Sequence, residues 1–354
     1  MAGLENEPVK IIDVTIPVWK AEQNKALLGI FTTLWRFISM LLVYPILAVR
    51  YLFAPDHDLI LVPYMGQLDL LLVKPLAWIR RKPVVWDVYV SLFDTLVFDR
   101  KALSRFNPIS QLVYFVEWLD FKIADLAIAD TEPHARYLKK LFRLKQEPST
   151  VHIGADSTAF YPIDNVPFQS LKTERQFSVL FYGNLSPMHG VETIVGAAAL
   201  LSNKTDIEFI IIGEGQSSES IDSLISEKKL KNIIRKSHVP YKELNQHLND
   251  SNIGLGIFAN NPKGNKVVPN KVYQMLASGI SIITADTLGV REVLGDNPLA
   301  SYVPFEDEKA LADTIVRMKN NRGNSPTYTD IRSVSVTEKH VAQQFLNVIS
   351  NAGI

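Results

Sequence analysis

Val267 to Gly279 (VVPNKVYQMLASG) holds the residues best suited to anion chemistry. Pro269 and Asn270 fit a helix start, with proline in the first turn and asparagine as the N-cap. Val272, Tyr273 and Leu276 then line one apolar face, and Gly279 ends the helix before the apolar run ISIITA. Asn270, Lys271 and Gln274 fall in or near the first turn, where free backbone N–H groups and the helix dipole attract anions. One consequence is a phosphate-binding helix start with an added lysine. The other is an ordinary helix with solvated polar residues. Lys263 and Lys266 in the preceding loop add positive charge. Other polar groups expected at strand ends are Gly183-Asn184, Gly213-Glu214-Gly215, His238 and Asp286 to Gly289; the glycines let backbone approach a ligand. A phosphate-bearing ligand is the leading expectation. Neither GxGxxG nor the P-loop pattern GxxxxGKS/T occurs, which argues against NAD and P-loop chemistry.

The elements that must position these groups alternate. Strands are expected at Val9–Thr15, Asp58–Val62, Val84–Val90 and Leu126–Ala129, with helices over 70–79, 110–125 and 133–142. After a polar, Gly/Pro-punctuated stretch at 154–178, a second series begins. Its strands are Val179–Tyr182, Ile207–Ile212, Ile233–Arg235, Ile253–Phe258, Ile280–Ala285 and Ala300–Val303. Helices are expected at about 190–201, 218–229, 241–249, 269–277, 290–294 and 307–320, and over the tail 334–349 after the turn-rich NNRGNSPTYTD. Strand–helix alternation predicts parallel sheets covered on both faces. The length exceeds what a single core sustains, so two domains follow, with a cleft between them for a ligand.

Composition narrows the classes. Lys plus Arg equals Asp plus Glu at 37 each, so net charge gives no push towards nucleic acid, and none is expected as a partner. With no cysteine, disulfides, thiolate metal sites and cysteine nucleophiles are excluded. The start, MAGLENEPVK, is unlike a signal peptide, so a cytoplasmic protein is expected. The segment 27–53 is strongly apolar, interrupted only by Arg36 and Arg50. Its uncharged run from Phe37 to Val49 is short of the ~20 residues that span a bilayer. A buried core helix and an interfacial helix, with Trp35 and arginine at the headgroup level, both remain open.

FYGNLSPMHGVETIVGAAALL, EFIIIGEGQ, HVPYKELNQHLNDSNIGLGIF and VPNKVYQMLASGISIITADTLGVREVL resemble, in that order, the C-terminal half of family 4 glycosyltransferases with the GT-B fold. VWDVYVSLFDTLVFDRK and ADLAIADTEPHARYL resemble a bacterial subgroup with a divergent N-terminal half, and VHIGADSTAFYP resembles the linker entry. The resemblance implies two Rossmann-like, doubly wound parallel-sheet domains: an acceptor-binding one at 1–165 and a nucleotide-sugar-binding one at 166–330. It also implies a C-terminal helix within 331–354 crossing back to the first domain. The implied activity is retaining transfer from a nucleotide-sugar to a glycan or lipid-linked acceptor in cell-surface polysaccharide or glycoconjugate synthesis. No metal and no cofactor beyond the nucleotide-sugar co-substrate are expected, the base being undetermined. The segment 27–53 and the basic patch Arg80-Arg81-Lys82 favour a membrane-associated acceptor, with peripheral contact at the inner face of the cytoplasmic membrane. A GT-B sugar-nucleotide epimerase and an inactive nucleotide-sugar-binding subunit are the alternatives.

By position, Gly213, Glu214, Gly215 and backbone near Val239 would border the base and ribose. Gln274 stands where the family has a ribose-gripping glutamate. A glutamine accepts a hydrogen bond there without the strength of a carboxylate. Asn184 and His189 stand where Arg and Lys commonly hold the phosphates, so Lys271, with Lys263 or Lys266, is the expected replacement, and Asn270 and Gly183 belong to the same site. His189 would give a proton or a hydrogen bond, or be structural. Gly66 is expected to let first-domain backbone approach the donor phosphate. Asp87 is expected to orient the acceptor hydroxyl or donor sugar, with a turn aspartate as the alternative. Asp94, Asp130 and His134 are further pocket candidates.

Overall fold

The computed structural model describes residues 3–16, 30–163, 176–321 and 336–354. The expected boundaries at 165/166 and 330/331, and residues 27–29 of the apolar segment, lie outside these residues. The first described helix, α1 (Ile30–Leu52), is followed by β1 (Ile60–Val62), α2 (Gln67–Arg80), β2 (Val84–Asp87) and a short α3 (Leu92–Asp94). Then come α4 (Pro108–Ile123), β3 (Leu126–Ala129), α5 (Glu132–Phe142) and β4 (Ser149–Thr150). The four strands are parallel in the order β1-β2-β3-β4, with Ile60 opposite Val84 and Val85 opposite Leu126. Because the order never reverses, right-handed crossovers put α2, α4 and α5 on one face. There Leu70, Trp86, Leu138 and Phe142 make a buried core with Phe121.

The other face of this sheet is closed from a distance. Phe345 and Ile349 of the C-terminal helix α12 (Glu338–Ala352) pack on Val85 and Ile128. Threonine caps both this helix and α5: Thr337 accepts from the His340 N–H at the start of α12, and Thr131 accepts from the His134 N–H at the start of α5.

The second sheet contains β5 (Phe177–Tyr182), β6 (Ile207–Ile212), β7 (Ile233–Lys236), β8 (Ile253–Leu255), β9 (Ser281–Ala285) and β10 (Ala300–Val303). Its order is β10-β9-β8-β5-β6-β7, all parallel, so the winding reverses between β8 and β5. All six residues of β5 are buried, as a central strand covered on both faces requires. The covering helices are α6 (Val191–Leu200), α7 (Ser218–Glu227), α8 (Tyr241–Asp250), α9 (Asn270–Ala277), α10 (Leu288–Leu294) and α11 (Glu308–Asn320).

Five local expectations are corrected. Residues 9–15 form no strand: among the described residues the segment has no ladder partner, and Val9 is exposed. The strand expected to reach Val90 ends at Asp87, and that expected to reach Phe258 ends at Leu255. Pro269, not Asn270, is the N-cap of α9. The apolar segment is not a wholly buried helix either. Leu42, Ile46, Val49 and Leu52 of α1 are exposed, as is Phe53 after it. Among the described residues no helix is long and apolar enough to cross a membrane.

Candidate active site

β5 and β6 are each followed directly by a glycine, Gly183 and Gly213, with φ of +131° and +132°. These are left-handed values that a Cβ disfavours. Contact also forbids a side chain, since a Cβ on Gly213 would lie 1.9 Å from the Gly183 carbonyl oxygen. A Cβ on Gly183 would lie 3.1 Å from Lys271 Nζ, so the bare backbone makes room for that ammonium.

Lys271, in the first turn of α9, is 6% exposed. Its Nζ sits 3.8 Å from the centre of the Phe181 ring and has no hydrogen-bond partner. Burial lowers its pKa from 10.5 to about 7. No side chain caps α9, and although the Val272 N–H donates to the Pro269 carbonyl, the Asn270 and Lys271 N–H groups remain open to an anion. A buried cation beside an uncapped helix start is half of an ion pair.

His189 ends the short 3-10 turn Pro187–His189, with Nδ1 against the Asn184 carbonyl and the ring edge-on to Phe181. Burial, then the neighbouring Lys271 charge, pushes its pKa down to about 3. The imidazole is therefore neutral at physiological pH and offers hydrogen bonding rather than a second cation. Gly215 packs against Asn184, where a Cβ would meet the amide oxygen at 2.0 Å. The turn is pinned by the Leu185 N–H donating to the Glu214 carbonyl at 3.0 Å, while the Glu214 side chain faces solvent. Val239 is buried beside this edge of the sheet. Gln274 Oε1 accepts from the Tyr182 hydroxyl at 2.8 Å, which leaves it one lone pair.

Lys263 and Lys266 do not join Lys271. Lys263 Nζ pairs with Asp99 at 3.1 Å and donates to Thr95 at 3.1 Å. Lys266 Nζ lies 3.1 Å above the Tyr137 ring, and Asp94 accepts from the Tyr137 hydroxyl. Both lysines join the domains, and Asp94 holds that junction instead of lining the cavity below. Gly66 is likewise explained by packing, because a Cβ would strike Val62 and the Pro63 carbonyl at 2.4 and 2.7 Å. Its φ of −86° is ordinary.

Asp87 and Asp130 stand at the carboxyl ends of β2 and β3 and line a cavity of about 460 Å³ between the domains. Tyr89, His152, Asp156 and Asn270 share its wall. Asp130 is 2% exposed, with Oδ1 2.5 Å from His134 Nδ1 and Oδ2 without a partner. Burial, then repulsion from Asp130, raises the Asp87 pKa to about 6. The Tyr89 hydroxyl donates to Asn270 Oδ1 at 3.2 Å, so the residue before Lys271 is the seam between cavity and helix start. Asn270 spends its side chain there rather than on capping.

Sequence reasoning missed what holds the cleft together. The Glu292 carboxylate accepts from the Glu132 N–H at 2.9 and 3.1 Å, at the positive start of α5, and from His152 Nε2 at 2.7 Å. The Thr131 hydroxyl donates to the Lys266 carbonyl. No sequence pattern links residues so far apart. Glu117 had a signal, an acid among the aromatics of α4. It is buried and accepts from Ser91 Oγ, the Leu92 and Phe93 N–H groups and Gln67 Nε2, fixing the start of α3.

Residues 162–333 match the family model described as glycosyl transferases group 1. A 2-deoxystreptamine N-acetyl-D-glucosaminyltransferase from Niallia circulans is 22% identical over 247 residues, which cover 68% of this chain and 61% of that protein. The chain thus matches less than two thirds of that relative's length. The fold is similar to Anabaena Alr3699/HepE in complex with UDP and glucose, with a TM-score of 0.64, 14% identity, and 86% and 81% of the two chains covered. Sucrose-phosphate synthase from Thermosynechococcus elongatus aligns with a TM-score of 0.65 and 17% identity over 91% and 79%. The second half of the chain is thus similar to a glycosyl transferases group 1 domain, and the two parallel-sheet domains have the GT-B fold of these solved structures.

Proposed function

We propose that this chain moves a sugar from a nucleotide-sugar to a glycan or lipid-linked acceptor, with retention of configuration and without a metal ion. The observation that carries the proposal is the buried, unpartnered Lys271 ammonium at the uncapped start of α9. A buried charge without a partner is costly, and a diphosphate in the cleft would supply the missing anion. Lys271 and the helix N-terminus then take the role a metal plays elsewhere, stabilising charge that develops on the leaving diphosphate. The bond from C1 to the diphosphate oxygen breaks as the acceptor oxygen bonds C1 on the same face. The acceptor proton passes to the departing phosphate oxygen. Neutral His189 hydrogen-bonds in this site, Gln274 and the Gly213–Gly215 turn border the ribose and base, and Asp87 with Asp130 orients the acceptor hydroxyl.

UDP is the first nucleotide to test, because it is named in the complexes of the Anabaena protein. UDP, UDP-glucose and UDP-N-acetylglucosamine are expected to raise the melting temperature of the wild type. A ligand at a hundred times its Kd stabilises by about 2.7 kcal/mol. Slow UDP release from the sugar nucleotide, reduced by orders of magnitude in Lys271→Ala, distinguishes a transferase from a binding subunit. No shift with UDP-, GDP-, ADP- or CMP-sugars would remove the proposal.

A further inference from the structure

The helix layer of the first domain exposes apolar surface where a free-standing domain would carry polar residues. α1 packs on α2 and α2 packs on α4, so the three helices lie side by side over one face of the sheet. On α4 and the loop before it, Phe106 is 85% exposed and Leu112 63%, with Ile109 and Phe115 exposed between and after them. On α2 Trp78 is 79% exposed and Ile79 follows it; α1 adds Leu42, Ile46 and Val49 at helical spacing. This is a broad patch, and scattered exposed apolar residues do not account for it.

Its charge is one-sided. Within 42–53, 75–81 and 98–122 the exposed charged residues are Arg50, Arg81, Arg100, Lys101, Arg105 and Lys122, against the exposed acids Asp56 and Asp58 in the turn after α1, the first of them paired with Lys82. The acids of α4, Glu117 and Asp120, are buried. We propose that the α1–α2–α4 face docks the protein on an anionic lipid surface, with aromatic and aliphatic side chains entering the headgroup boundary and the six basic residues flanking them. A second copy fits worse, because two-fold pairing would set the same basic residues against themselves. The surface also adjoins the cleft: Thr95 and Asp99, shortly before α4, hold Lys263 of the second domain. A lipid-linked acceptor would thus be presented beside the cavity.

Co-sedimentation of the full chain with phosphatidylcholine vesicles, with and without phosphatidylglycerol, tests this. The wild type is expected to pellet with the anionic vesicles and to lose at least about tenfold in partition on neutral ones or at high salt. Each basic residue near such a surface contributes roughly a fivefold change. Ile109→Glu with Leu112→Glu, both solvent-facing, should reduce partition by at least about tenfold with an unchanged melting temperature and unchanged UDP response. Arg105→Gln with Lys122→Gln should weaken binding to the anionic vesicles only. Wild type that stays in the supernatant with both vesicles, or a glutamate variant that pellets equally, overturns the proposal. So does a wild-type dimer that the same glutamate variant dissociates without any lipid binding, which assigns the face to a second copy. None of these readouts depends on sugar transfer.

Discussion

Replacing Lys271 by methionine should make the free protein more stable and the donor site useless. Burial lowers the ammonium's pKa from 10.5 in the unfolded chain to about 7 in the folded one. For a base shifted downwards, the folding cost is complete below the folded pKa and fades as pH rises to the unfolded value. At pH 7 the cost is roughly 4 kcal/mol. Lys271→Met keeps the apolar stem over Phe181 but gives up the cation–ring contact, about 1–2 kcal/mol. The variant should therefore be about 2–3 kcal/mol more stable at pH 7, a rise of roughly 5–10 °C for the second domain. The gap should close as pH approaches 10. Ligand binding should move the other way. If the charge contributes about a hundredfold to UDP affinity, UDP at a hundred times the wild-type Kd stabilises wild type by about 2.7 kcal/mol and the variant by only ~0.4 kcal/mol. Calorimetric melts at pH 7 and 10, with and without UDP, measure both effects. A variant no more stable than wild type at pH 7 refutes the buried-charge argument, and a full UDP shift in it refutes the phosphate role.

Asp87→Asn should stabilise the protein. An acid whose pKa rises from 3.8 to about 6 loses stability as pH climbs through that window, by up to about 3 kcal/mol, and urea titrations at pH 4 and 7 should show the wild-type decline and its absence in the variant. The same variant should reduce acceptor-dependent turnover more than UDP binding. Gly213→Ala forces a Cβ onto the Gly183 carbonyl at positive φ, so a loss of about 3 kcal/mol or more is expected in chemical denaturation, together with a weaker UDP response. Gln274→Glu restores a carboxylate that both Tyr182 and a ribose hydroxyl can donate to; titration calorimetry should show tighter UDP binding, by up to about tenfold. Glu292→Gln leaves the His152 and α5 contacts without their charge, and limited proteolysis should then cut the interdomain segments faster.

The sequence by itself determined the elements and their class. Ile207–Ile212 and Ala300–Val303 appear as strands at their expected bounds, and the helix after Pro269 differs by one residue, because apolar period and glycine or proline punctuation act locally. The residues 9–15 went the other way: they alternate well enough for a strand, yet a strand exists only when a partner supplies its hydrogen bonds, and none does among the described residues. For the site, spacing was enough to group Gly183, Gly213, Asn270 and Lys271, since each follows a predicted strand or opens a predicted helix. Charge assignment was not. Three lysines within nine residues are equivalent as letters, and only packing separates them. Lys263 meets Asp99, Lys266 meets Tyr137, and Lys271 alone turns under Gly183 and finds no anion. Likewise Asp87 and Asp94 look alike in one block, but β2 carries the first into the interdomain cavity while Tyr137 holds the second. Local patterns set which elements form; what each charge does depends on neighbours brought in from 43 to 164 residues away.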